Sequence, residues 1–185
     1  MKKTTKIIII VALFSSLAIF SGCDKLGNIP LNVPIEIKFT LSGSETSAQE
    51  TVTFCLNQYQ EWNDNKDKIQ SVKFLSAAYW TLDYSPSALK GTINAALKDK
   101  NGLTLLSINL PNVSPGDYIT DGYKIELTKD ELDAFNAYLD NLQEDPSCSI
   151  PTFTAEISVT NVTGGTPYTI HGKVELILEA EVSTN

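Results

Sequence analysis

The side chains of this chain that could take part in chemistry are its carboxylates, its one histidine and its three cysteines. Six acidic residues crowd the segment 130–145, and Asp117 and Asp121 lie in a loop that is rich in proline and glycine. Paired carboxylates can act as general acid and base, and closely spaced oxygens can surround a calcium ion. Helical spacing turns the six acids away from the apolar stripe of their segment, which indicates a solvated face. Asp117 and Asp121 are weak metal candidates, and we predict no bound metal.

The sequence contains few side chains that could act as catalytic groups in common enzyme mechanisms. His171 falls in a predicted strand, where Thr169 and Lys173 are its neighbours on the same face, and the chain contains no arginine. A catalytic cysteine or serine needs a histidine beside it, and phosphate sites favour the planar guanidinium of arginine. The chain also lacks a nucleophile elbow, a phosphate loop and paired CxxC motifs. We therefore predict that the protein is not an enzyme and needs no cofactor.

The first 23 residues have the pattern of a secretory signal. Three lysines precede an apolar run over residues 7–20, and the small residues Ser21 and Gly22 follow it. The tetrapeptide Phe20-Ser21-Gly22-Cys23 resembles the lipobox of bacterial lipoproteins. That resemblance implies removal of residues 1–22 as a signal peptide and attachment of acyl chains such as palmitate to Cys23. Residues 23–34, with Gly27, Asn28, Pro30 and Pro34, would then be a lipidated N-terminus and short spacer.

The resemblance implies a lipid anchor in the inner or outer membrane of a bacterial cell envelope, with the domain facing the periplasm or the exterior. A formal net charge of −8 argues against nucleic acid as a partner. We predict a membrane-tethered, non-enzymatic binding or structural role with an unidentified protein or cell-surface partner. The alternative is a carrier or receptor for a small hydrophobic ligand or a glycan.

Two cysteines remain once the resemblance assigns Cys23 to the lipid. Cys55 and Cys148 can form one disulfide in an oxidising compartment. Two separate buried thiols are the alternative, because spacing alone does not show that two residues are close in space.

Residues 35–185 have the pattern of a single β-rich domain. Apolar residues alternate with polar residues in segments near 35–41, 52–56, 72–84, 93–110, 155–159 and 168–182. Asn101-Gly102 predicts a tight hairpin turn, and Thr128 with Glu131 forms a capping box that begins a helix over about 128–144. The pattern predicts an antiparallel β-sandwich, immunoglobulin-like or related, of about eight strands with one packed helix. A partly open barrel is the alternative.

Four residues are weak candidates for lining a ligand site: Tyr79, Tyr118, Phe135 and Leu139. The segment 72–84 is apolar on both alternating faces, and the predicted helix carries an apolar stripe. If these two elements enclose a cavity of about 300 Å³ or more, a hydrophobic ligand fits. If they pack without a gap, the apolar residues are core and the protein acts through its exposed surface. We expect close packing.

Overall fold

The computed structural model describes residues 27–142 and 145–184. Its strands are β1 (Ile29–Gly43), β2 (Ala48–Phe54), β3 (Ile69–Ser85), β4 (Lys90–Asp99), β5 (Thr104–Val113), β6 (Tyr123–Ile125), β7 (Phe153–Thr163) and β8 (Tyr168–Val182). Its α-helices are α1 (Gln60–Asn65) and α2 (Lys129–Asp140). Short 3-10 turns cover Leu56–Gln58, Lys66–Lys68 and Pro115–Tyr118. The residues before 27 lie outside the described part of the chain, as do 143, 144 and 185.

The strands form two four-stranded antiparallel sheets. Sheet A has the order β1-β8-β3-β6, and sheet B has the order β2-β7-β4-β5. Consecutive strands therefore alternate between the sheets, except for the β4–β5 hairpin. This is the strand order of a double Greek-key jelly roll. The prediction of an antiparallel β-sandwich is confirmed, and the jelly-roll order defines its topology.

The core lies between the inward faces of the two sheets. Strand β1 shows the expected alternation, with Val33, Ile35, Ile37, Phe39 and Leu41 buried and the residues between them exposed. This alternation begins before residue 35, so residues 29–34 of the predicted spacer belong to β1. Strand β8 shows the same alternation of buried and exposed residues, because residues paired across the β1–β8 ladder point to the same face of the sheet.

Strand β3 is interrupted by bulges that change which side chains face the core. The pairing with β8 shifts at Gln70, Leu75 and Leu82, and each of these positions is an extra residue exposed to solvent. Each extra residue reverses the in–out alternation that follows it. Val72 is therefore buried before the bulge at Leu75, and Ala77 and Tyr79 are buried after it. The second apolar face predicted for this segment is produced by these shifts.

Helix α2 closes the side of the sandwich between β3 and β5. The Thr128 hydroxyl accepts a hydrogen bond from the Glu131 N–H, as the capping box predicts, and the helix begins at Lys129. Phe135 and Leu139 are its buried residues, and the Tyr138 hydroxyl donates to the Thr152 carbonyl at 2.6 Å. The helix ends at Asp140, which is earlier than the predicted boundary near 144.

Candidate functional site

The structure gives His171 a neighbour with a hydroxyl group. His171 lies on the outer face of sheet A, where its Nδ1 is 3.0 Å from the Thr40 Oγ1. A hydroxyl beside an imidazole resembles the nucleophile and base of a catalytic triad. In such a triad a carboxylate orients the imidazole. Asp83 is the cross-strand neighbour of His171, but its Oδ1 accepts the N–H of Tyr84 at 2.8 Å. The Asp83 carboxylate therefore binds the local backbone, and its hydrogen bond is not to His171.

The acidic residues of helix α2 and of the segment after it have structural contacts. The Glu131 carboxylate accepts the N–H and the hydroxyl of Thr128, and these hydrogen bonds lower the pKa of Glu131. Asp133 pairs with Lys129 one turn away. Asp145 accepts hydrogen bonds from the Ser147 hydroxyl and from the N–H groups of Ser147 and Ile150, which lower its pKa to about 2. These contacts fit the solvated face that the sequence predicted.

The two weak metal candidates lie in the loop after β5. Asp117 caps the 3-10 turn by accepting the Ser114 N–H at 3.2 Å, and Asp121 is exposed. Within residues 27–142 and 145–184, no three histidine, cysteine or acidic side chains come close enough to hold a metal ion together.

The four ligand candidates contribute to packing. Tyr79 is fully buried and its hydroxyl bonds the Thr81 hydroxyl at 2.8 Å, while burial raises its pKa to about 12. Tyr118 packs edge-on against Tyr79, with ring centres 5.6 Å apart. Phe135 and Leu139 are buried in the core beside β3.

Among these candidates, Leu139 borders an open groove of about 250 Å³ with Trp62 and Val72, whereas Tyr79 and Phe135 are fully buried. Leu75, on the same strand as Tyr79, points outward with 45% of its surface exposed and borders a separate open groove of about 340 Å³. Between the two sheets, the space next to Ile37 and Leu97 measures only about 10 Å³. A void of that size is about one water molecule. The close packing that we expected is what the described core has.

Cys55 and Cys148 form a disulfide, with their Cα atoms 5.9 Å apart. The bond joins the end of β2 to the segment between α2 and β7. Asn57 supports the same junction, because its side-chain amide donates to the Pro146 carbonyl at 3.1 Å. Of the alternatives that the spacing left open, the structure contains the bonded pair. Cys23, the predicted lipidation site, lies outside the described residues, so the resemblance to a lipobox stays a prediction.

The outer face of sheet A is charged. Lys173 bonds Glu36 at 2.6 Å and Glu175 at 2.8 Å, and Lys73 pairs with Glu179 at 2.7 Å. The hydrogen bonds that Lys173 donates to Glu175 and Glu36 raise the pKa of Lys173, and the bond that Glu36 accepts lowers the pKa of Glu36. Salt bridges at such exposed positions stabilise a protein by about 1 kcal/mol at most. The outer face of sheet A thus carries lysines and glutamates that pair with each other at its surface.

The outer face of sheet B is almost uncharged. Three rows of outward side chains cross its four strands, and they consist of Gln49, Ser158, Asn94 and Asn109, then Thr51, Glu156, Ala96 and Ser107, then Thr53, Thr154, Lys98 and Thr104. Glu156 and Lys98 pair at 2.6 Å, so these rows have no net charge. The Asn109 amide nitrogen lies 2.5 Å from the Asn94 amide oxygen. We call this surface the neutral face.

A shallow groove of about 370 Å³ runs over the neutral face. It is lined by the small side chains of Ala96, Ser107 and Ser158 and by the longer side chains of Gln49 and Glu156. The sequence analysis missed this surface. The signal that could have revealed it is the run of uncharged polar residues at the alternating positions of β4, β5 and β7, in a chain that is otherwise rich in acids.

No helix in the described part of the chain has both the length and the apolar character needed to cross a bilayer. No protein-family model matches this chain, and no curated protein matches its sequence.

Several solved virus structures are similar in fold. A chain of turnip yellow mosaic virus matches with a TM-score of 0.48 and 10% identity, over 84% of this chain and 94% of that one. A chain of tobacco necrosis virus matches with a TM-score of 0.44 and 13% identity, over 85% and 98% of the two chains. The decameric BFDV capsid protein matches with a TM-score of 0.43 and 12% identity, over 83% and 99%.

These comparisons correct the predicted role of a membrane-tethered lipoprotein. The structures similar in fold come from viruses and include a capsid protein. The predictions of a lipid-anchored membrane partner, of a bacterial cell-envelope location and of a hydrophobe or glycan receptor are wrong on this comparison. At these identities the likeness is one of fold, and the function of the chain has to be argued from its own surface.

Proposed function

We propose that this protein is a non-catalytic structural module that works through contact between an outer sheet face and another protein. The observation that carries the proposal is the difference in charge between its two faces. The outer face of sheet A holds Glu36, Glu175 and Glu179 among its lysines, whereas the neutral face holds one internally paired acid. Depletion of charge marks the centre of protein interfaces.

The rigidity of the fold supports a structural role. The two sheets pack with almost no space between them, and a disulfide connects residues 93 positions apart in sequence. Helix α2 covers the side of the sandwich between β3 and β5 through Phe135 and Leu139. A surface held by such a scaffold loses little conformational entropy on binding, because its strands are already ordered.

The behaviour of the reactive side chains supports the absence of catalysis. Glu131, Asp117 and Asp145 each accept hydrogen bonds from the local backbone, and Cys55 is bonded to Cys148. Groups held in this way stabilise turns and helix ends. The hydrogen bonds lower the pKa values of Glu131 and Asp145, away from the neutral range that suits a catalytic acid or base.

Photo-crosslinking in the producing cells tests the proposal. The full chain would carry p-benzoylphenylalanine at Ser158 on the neutral face, and a matched chain would carry it at Ser42 on the outer face of sheet A. We expect a discrete protein adduct from Ser158 and little from Ser42. If neither position gives a protein adduct, the proposal is wrong, and if Ser42 alone gives one, the neutral face is not the contact surface.

A further inference from the structure

We infer that the partner of the neutral face is a second copy of this chain, docked face to face about a two-fold axis. This inference rests on the proposed function and names the partner that the proposal leaves open.

The distribution of charge selects this face for self-association. The whole chain has a formal net charge of −8, so two copies repel each other over most of their surfaces. The neutral face is an exception, because the charges of Glu156 and Lys98 cancel within 2.6 Å. Two copies that meet there bring no like charges into opposition. A strongly basic partner would gain nothing from this surface, since it would prefer the acidic remainder of the molecule.

The polar groups of the neutral face are complementary to themselves. A two-fold interface places the same patch on both subunits, so each group has to pair with groups of its own kind. Side-chain amides and hydroxyls both donate and accept hydrogen bonds, which makes Gln49, Asn109 and Ser107 suitable partners for their own copies. Lys98 and Glu156 can exchange partners across the axis in the same way. A face of carboxylates has no such option.

The shape of the neutral face suits the approach of another sheet. The small side chains of Ala96, Ser107 and Ser158 line its groove, and packed sheets approach to about 10 Å. Four strands over about seven residues give a contact of roughly 400 Å² per copy, from the usual strand spacing and rise. Two such surfaces bury less than a standard interface of about 1,600 Å². The association should therefore be weak and concentration-dependent.

Two exposed strand edges of sheet A are protected against the alternative of strand-to-strand pairing. The Thr40 N–H on the free edge of β1 donates to the Glu50 carboxylate at 2.5 Å. Even-numbered residues of β1 turn their backbone groups the same way, and two of them, Pro30 and Pro34, have no N–H to offer. On the opposite side of the sandwich, Asn136 of α2 accepts the N–H of Phe74 on β3. Strand pairing with a second copy is thus disfavoured at these two places.

Sedimentation velocity over a concentration series tests the inference with the full chain. We expect the native protein to form a concentration-dependent dimer with a dissociation constant of about 1 mM, because the interface is smaller than a standard one. Ser158→Glu and Ser158→Lys each place like charges across the axis, so each should raise the dissociation constant at least tenfold. An equimolar mixture of the two variants should recover association. Ser42→Glu, on the other sheet, is the matched control and should associate like the native protein.

The outcomes separate the inference from the proposed function. A native protein that stays monomeric throughout, or a mixture of variants that does not recover, overturns the inference. A photo-adduct from Ser158 with twice the mass of the chain supports both statements. An adduct of any other mass keeps the proposed function and overturns the second copy as partner. Thermal melts of the variants show whether a loss of association reflects misfolding, and recovery in the mixture excludes it.

Discussion

Asn136 of helix α2 holds the backbone of strand β3, because its side-chain oxygen accepts the N–H of Phe74 at 2.8 Å. The contact joins residues 62 positions apart and lies on the side of β3 away from β8, where no strand pairs with Phe74 because β6 pairs only with residues 77–79. The helix thus satisfies a donor that a longer strand would otherwise satisfy. Packing of Phe135 against Phe74, with ring centres 5.2 Å apart, fixes the same junction.

Asn136→Ala should lower the free energy of unfolding by about 1 to 3 kcal/mol, because a partly buried N–H would lose its acceptor. Urea denaturation measures the change. Asn141→Ala is the matched control, since Asn141 is exposed and donates to the Ala137 carbonyl of its own helix. Equal losses from the two variants would contradict the role given to Asn136.

Replacing both Cys55 and Cys148 with alanine should destabilise the fold by about 4 to 5 kcal/mol, as expected for a closed loop of this length. The loop spans 93 residues, and its removal enlarges the conformational freedom of the unfolded chain. Chemical denaturation of the double variant, compared with the native protein under reducing and non-reducing conditions, checks the value. Native stability that is unchanged by full reduction would refute it.

Glu50→Ala should uncover the free edge of β1 at Thr40. The local effect on amide hydrogen exchange is the more specific readout, because the Thr40 N–H loses its acceptor while the rest of the ladder with β8 is kept. We expect faster exchange at Thr40 and a loss of stability of about 1 kcal/mol. Glu45→Ala, in the turn before β2, removes an exposed acid without touching that donor. Unchanged protection of Thr40 in Glu50→Ala would count against the contact.

The segment 145–150 should respond to acid at an unusually low pH. The hydrogen bonds from Ser147 and Ile150 favour the ionised Asp145 and lower its pKa from 3.8 to about 2. A lowered pKa in the folded state means that the stabilisation is complete above about pH 4 and is lost as the pH falls towards 2. Carboxyl chemical shifts followed by NMR give the midpoint. Titration of Asp145 at its ordinary value would show that these hydrogen bonds do not persist in solution.

Local patterns in the sequence predict the elements whose causes are themselves local. Asn101-Gly102 marks the β4–β5 turn because Gly102 takes the positive φ of 85° that such a turn requires. The start of α2 follows from the side chain of Thr128 reaching a donor three residues away. Alternation of apolar and polar residues identifies β1 and β8, since a regular strand exposes every second side chain.

Other features depend on residues that are far apart in sequence, and only the tertiary structure decided them. The bulges at Leu75 and Leu82 arise from pairing with β8. They reverse the alternation of buried and exposed side chains that the sequence of β3 alone predicts. The bond between Cys55 and Cys148 needs two distant segments to meet. The neutral face exists because β2, β7, β4 and β5 lie side by side. Each strand contributes only a few outward uncharged residues. They form a continuous surface only when strands that are not consecutive in sequence pair in register.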